Sequence, residues 1–343
     1  MSHDAHVYSK SQTEYEYTRR VRREAMRGQV TTFAIMILSI IAFVFIKPFL
    51  PTKLFPVADT TMKNIVVGVD FSNNSLNVLK HAIAAAIRFE AAIHLVWVRT
   101  PSVMRHADVE GKDEYSQLSK QKLANLLEEV RKEAEGCDVQ SIVLEGKPPI
   151  ELSKYANNLE DAVLAVGTHG MSGYEEKYVG SNVVRTVALS RIPVLTLREG
   201  INIGRDLTQV LVPIDTSFET LQKMRHAINF AKVFNAKVMI LGVYTAATNE
   251  VKHVVDIQVN FAKKMCDNAN VRNDIDAIHT QDGMENAVIE YAKKIDANLL
   301  VVMREEEDEF SDLWLGNSTR RLLSSTPMPM LIVPNINHTN ISK

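Results

Sequence analysis

Between Val166 and Val187 the chain reads VGTHGMSGYEEKYVGSNVVRTV. Gly167, Gly170 and Gly180 are spaced G-x2-G-x9-G, and Ser181 follows the last. Glycines let a ligand approach the backbone without a Cβ in the way. If a helix begins at Gly180–Ser181, its free N–H groups and positive dipole end favour an anion such as a phosphate. Ser181 and Asn182 add side-chain donors. The same run also reads as a plain loop between a strand and a helix, so the elements around it decide its meaning.

Those elements form a repeat. Asp70–Ile83 (DFSNNSLNVLKHAI) and Asp215–Ile228 (DTSFETLQKMRHAI) share the pattern D-x-S-x-x-[ST]-L-x-x-[LM]-[KR]-H-A-I. Gly180–Leu195 and Gly316–Leu331 share a leading glycine, Arg185 or Arg321, and Pro193 or Pro329 at equal spacing. Two paired blocks in the same order argue for a duplicated domain. In the first copy β-branched runs fall at Asn64–Asp70, Ala92–Val98, Val139–Leu144, Ala162–Val166 and Pro193–Leu197. The second copy has them at Val210–Asp215, Lys237–Tyr244, Ile275–His279, Leu299–Met303 and Met330–Val333. Stretches of helical spacing lie between, such as Leu79, Ala82, Ile83, Ala86 and Ile87. The expected fold class is α/β, with two tandem doubly wound, five-stranded parallel-sheet domains over residues 62–200 and 206–335. Near-continuous apolar strands predict a sheet covered on both faces. In such a sheet ligands bind beyond the carboxyl ends of the strands. The glycine run leaves the fourth strand at that edge, and Asp70 ends the first strand beside it, within reach of a ribose or base.

Composition narrows the function. The 343 residues are 46% hydrophobic and 23% charged with a formal net charge of −2, a globular balance that gives nucleic acid no basic surface. Cys137 and Cys266 form no CxxC pair, which argues against a zinc ribbon or disulfide scaffold. There is no G-x-x-x-x-G-K-[ST] and no G-x-G-x-x-G after the first strand, so neither a P-loop ATPase nor a dinucleotide oxidoreductase is expected. No catalytic triad, carboxylate pair or metal-ligand cluster stands out.

Residues 1–61 read differently. Gly28–Ile46 carries no charge over 19 residues and as a helix would span about 28 Å, close to a bilayer core. Five arginines from Arg19 to Arg27 precede it. This reads as one transmembrane helix tethering the domains to the inner membrane; the other reading starts the folded protein at Met62. The basic residues place the N-terminus inside, whereas nucleotide-binding domains belong in the cytoplasm, so the orientation stays open.

Taken together, the G-x2-G-x9-G-S spacing, the D-x-S-x-x-[ST] opening, the Gly146-Lys147-Pro148 turn and the proline-led last strand resemble the universal stress protein family. The resemblance spans roughly Met62–Pro334 as a tandem pair. It implies five-stranded α/β domains that often dimerise, here as a pseudo-dimer of the two copies or as a homodimer, and that bind ATP, with or without Mg2+, where the motif is intact. By that resemblance Gly68, Val69 and Asp70 line the nucleotide, Val98 meets the adenine, and Gly167, Thr168, Gly170, Gly180, Ser181 and Asn182 hold ribose and phosphates. Gly68 departs from the proline often found two residues before the aspartate; the second copy has it, as Pro213.

The second copy has lost the glycines. Met303 and Glu306 replace Gly167 and Gly170, Asn317 replaces Ser181, and Glu305–Glu309 is an acidic run that would repel a triphosphate. ATP is therefore expected in the first copy only, and the second is expected to be a packing partner. The leading reading is an ATP-binding regulatory protein of a stress or energy response. A slow ATPase or self-phosphorylating enzyme and a nucleotide-free, membrane-tethered scaffold are the alternatives.

Overall fold

The computed structural model describes residues 62–100, 109–168, 180–198, 207–246, 248–281, 283–305 and 315–335. The Gly28–Ile46 segment and residues 169–179 and 306–314 lie outside them. Among the described residues no helix is long and apolar enough to cross a membrane.

The first repeat runs β1 (Asn64–Gly68), α1 (Asn73–Phe89), β2 (Ala92–Arg99), α2 (Val109–Glu133), β3 (Val139–Glu145), α3 (Pro148–Asn157), β4 (Ala162–Gly167), α4 (Ser181–Leu189) and β5 (Val194–Leu197). The second runs β6 (Gln209–Ile214), a 3-10 turn (Phe218–Leu221), α5 (Met224–Phe234), β7 (Lys237–Tyr244), α6 (Asn249–Asn268), β8 (Asn273–His279), α7 (Met284–Lys294), β9 (Leu299–Met303), α8 (Asn317–Ser325) and β10 (Met330–Val333). The strands fall where the β-branched runs place them. The order β3-β2-β1-β4-β5-β10-β9-β6-β7-β8 makes one ten-stranded sheet, parallel within each repeat. The repeats meet where β5 pairs antiparallel with β10.

Strand alternation sorts the core into two layers. Ile65 and Val67 of β1 enter one cluster with α1, α2, α5 and α6, while Val66 enters the other with α3, α4, α7 and α8. Each cluster runs through both repeats. Fully burying an aliphatic side chain contributes about 1.5–3 kcal/mol, so the apolar stripe Val78, Leu79, Ala82, Ile83, Ala86 and Phe89 explains why α1 docks. Local signals set its ends. Ser72 Oγ accepts the Ser75 N–H at the start, and Glu90 adopts a left-handed φ of 55° at the stop.

One expectation needs correcting. Burial on both faces holds for the central strands, but the outer strands β3 and β8 alternate or expose most of their side chains. Their sequences carry the polar residues of free edges, such as Gln140 and Ser141 or Asp274 and Asp276, which guard an edge against unwanted pairing.

Across the join, Phe89 of α1 packs edge-on against Phe230 of α5, with centroids 5.2 Å apart. Arg304 donates to the carbonyls of Val187, Ala188 and Ser190 at the end of α4, at 3.2, 3.1 and 2.6 Å. Arg198 donates in return to the Ser324 carbonyl of α8 at 2.9 Å. Guanidinium groups at helix C-termini satisfy orphan carbonyls and match the dipole.

Candidate functional site

The carboxyl ends of β1 and β4 lie side by side, since Val67 pairs with Ala165. The turn after β1 explains the D-x-S motif. Asp70 Oδ1 accepts the Ser72 N–H at 3.0 Å and the Ser72 hydroxyl at 2.6 Å, and that hydroxyl caps α1. One carboxylate oxygen is thus committed to the turn, a role that spacing alone did not disclose. Asp215 and Ser217 repeat the lock in the second copy. Gly68 ends β1 facing α3, where a Cβ would lie 2.8 Å from a Leu152 methyl. Val69 is buried and donates to the Val96 carbonyl. Val98 is the last residue but one of β2, which lies on the far side of β1 from β4.

Beyond β4, Gly167 makes room for Asn74, whose buried amide would sit 2.5 Å from a Cβ there. Thr168 is buried, and its carbonyl accepts the Gly180 N–H at 3.0 Å, which brings the end of β4 to the start of α4. Gly170 lies outside the described residues. Gly180 is the N-cap of α4 without a side-chain bond. The N–H groups of Ser181 and Asn182 have no partner among the described residues, and both side chains are exposed. Gly180 has a φ of −58°, and a Cβ there would meet only the Thr168 carbonyl at 3.5 Å, an ordinary contact. Neither backbone conformation nor packing among the described residues demands a glycine here.

The second repeat fills the equivalent space. Glu305, at the position of His169, accepts the Ser318 N–H on Oε2 at 2.9 Å in the first turn of α8. Its own N–H donates to Thr319 Oγ1 at 3.0 Å, and its carbonyl accepts the Gly316 N–H at 3.1 Å. A Cβ on Gly316 would lie 2.7 Å from Glu305 Cγ. A carboxylate of the chain itself therefore occupies the helix N-terminus of the second repeat, where among the described residues the first repeat has no such group. The sequence shows the acidic run but not that its first member is seated there.

Beside Glu305 lies a cavity of about 310 Å³ bordered by Asp215, Lys223, Glu285 and Ser318 among others. Lys223 is buried, and burial holds its ammonium down to about 8 against the opposing charge of Asp215. Glu285 is buried and accepts the Ser318 hydroxyl. Sequence reasoning passed over both. Lys223 was findable, because the aligned repeats put it where the first has the core residue Val78. Among the described residues no group of three or more His, Cys, Asp or Glu side chains is placed to hold a metal ion.

The duplicated fold agrees with comparisons to known proteins. The model of the universal stress protein family matches residues 61–198 and again residues 207–334.

The chain belongs to the universal stress protein family.

Among curated universal stress proteins, one from Methanocaldococcus jannaschii is 32% identical over 140 residues, 40% of this chain and 82% of that protein. YxiE of Bacillus subtilis is 26% identical over 144 residues, 39% of this chain and 97% of the relative. Both relatives thus correspond in length to one universal stress repeat. A solved universal stress protein from Archaeoglobus fulgidus superposes with a TM-score of 0.64 at 15% identity, over 80% of this chain and 97% of its own, and so matches the fold of the pair.

Proposed function

We propose that this universal stress protein is an ATP-binding regulator that holds one nucleotide, in its first repeat. The observation that carries the reading is the contrast between the two helix starts. Among the described residues a Cβ on Gly180 would meet only the Thr168 carbonyl, and the amides of Ser181 and Asn182 have no partner. Around Gly316 the same space is taken by Glu305. An anion fits the first and is excluded from the second.

In this reading Gly167, Thr168, Gly170, Gly180, Ser181 and Asn182 hold the ribose and phosphates. The uncommitted oxygen of Asp70, with Gly68 and Val69, lines the nucleotide, and Val98 borders the adenine. Mg2+ would ride on the phosphates. Binding would change the shape or partner choice of the protein in a stress or energy response. Gly28–Ile46 would tether it to a membrane.

The test is to purify the full chain without added nucleotide, denature it, and identify and count what is released by mass spectrometry. About one ATP or ADP per chain is expected, or, from an empty preparation, a rise in Tm on adding ATP. Two nucleotides per chain would refute the restriction to the first repeat. No nucleotide and no thermal response would leave the scaffold reading in its place.

A further inference from the structure

The cavity of the second repeat contains two buried charges of opposite sign that do not meet. Lys223 is 3% exposed and Glu285 is 7% exposed, and both border the same space of about 310 Å³. Among the described residues each has one neutral partner: Lys223 Nζ donates to Thr220 Oγ1 at 3.0 Å, and Glu285 Oε1 accepts from Ser318 Oγ. No ion pair joins them to each other or to another described side chain. An ammonium offers three donors and a carboxylate about four acceptor sites, so the described residues take up only a small part of the capacity of both groups. Buried charges are costly unless they are paired and hydrogen-bonded. In the first repeat the position of Lys223 is filled by Val78, fully buried in the core, so the fold itself has no need of an ammonium there.

The surroundings restrict what can enter. Glu305 already occupies the N-terminus of α8, which bars a phosphate. Asp215 commits one oxygen to Ser217. Met284, Val288, Val302 and Leu322 supply apolar walls between the charged groups. The cavity of about 310 Å³ has room for a small amino compound.

We propose that the second repeat binds a small zwitterion of the amino-acid type, with its carboxylate on Lys223 and its ammonium on Glu285. Glu285 then receives a cation, and Lys223 a directly bonded anion in addition to the nearby charge of Asp215, from one neutral molecule. The site is independent of nucleotide in the first repeat.

The experiment is isothermal titration of the full chain with glycine, 4-aminobutyrate and 6-aminohexanoate, whose amino groups stand at increasing distance from the carboxylate. Acetate and methylammonium serve as single-charge controls. One of the three probes is expected to bind saturably, one per chain, and roughly tenfold or more tighter than either control. Lys223→Met and Glu285→Gln should each weaken that binding by about tenfold or more. Absence of saturable heat from all three probes would overturn the proposal, as would an affinity unchanged in both variants. Should Lys223→Met fail to fold, Glu285→Gln keeps the shape of the site and decides alone.

Discussion

Leu195 of β5 stands opposite Leu331 of β10 in the antiparallel step at the centre of the sheet, and the two hold the same position in their repeats. Equivalent residues that face each other mark a local two-fold axis. Around it Met330 pairs with Thr196 and Ile332 with Val194. The inner edge of each repeat is thereby consumed by the other, and both core layers pass through the join without interruption. The polar strands β3 and β8 are left as the outer edges.

Arg304 should matter more to this join than a surface arginine would. Its guanidinium serves three carbonyls at the end of α4, the helix whose other end is the candidate cradle. Arg304→Met leaves those carbonyls short of a charged donor and should cost about 2 kcal/mol. All three contacts come from Nη1, so Arg304→Lys should recover much of it if the ammonium reaches the same point. Urea unfolding at constant m-value measures both. A loss within about 0.5 kcal/mol for Arg304→Met would show that the contact is no more than a surface one.

Two glycines at equivalent positions should answer differently to the same change. Gly316→Ala drives a Cβ into Glu305 and should cost about 1–3 kcal/mol. Gly180→Ala meets only an ordinary contact and should change stability by no more than about 0.5 kcal/mol. Gly180→Asp, by contrast, places a negative charge at the start of α4 and should abolish the thermal response to ATP. Equal costs for the two alanine variants would show that Glu305 is not what makes Gly316 necessary.

Much of this architecture was legible in the chain itself, because β-branched runs, the D-x-S turn and the proline-led last strand are local signals that repeat. All ten strands could be placed within about two residues, as boundary fraying allows. What escaped was set by tertiary placement. The acidity of Glu305 is visible in sequence, but its seat on Ser318 depends on how β9 meets α8. Nothing near Glu285 in the sequence shows that its carboxylate is buried. The edge character of β3 and β8 was written in their polar residues and was overlooked in favour of the average apolar pattern of the strands.

Acid should destabilise the protein earlier than its carboxylates alone would. Burial pushes His226 in α5 down to about 4, and neighbouring Arg225 adds to the effect. Burial also lowers His94, with Asp138 opposing, while its ring is held by Tyr155 at 2.7 Å and Asn64 at 3.0 Å. Above the ordinary histidine value of about 6.5 both rings are neutral in folded and unfolded chains, and they leave stability unaffected. Between about 6.5 and about 4 the unfolded chain takes up a proton on His226 that the folded chain refuses, so stability falls. Over that window His226 accounts for on the order of 3 kcal/mol, and His94 acts in the same direction. Asp267 and Asp276, held low by hydrogen bonds from Lys263 and Tyr291, lose their contribution only below the ordinary aspartate value of 3.8, in a separate and more acidic window. Urea midpoints from pH 7.5 to pH 4 should therefore decline steadily, and His226→Gln should flatten most of the slope. If the variant keeps the slope of the parent chain, His226 is not the group that refuses the proton.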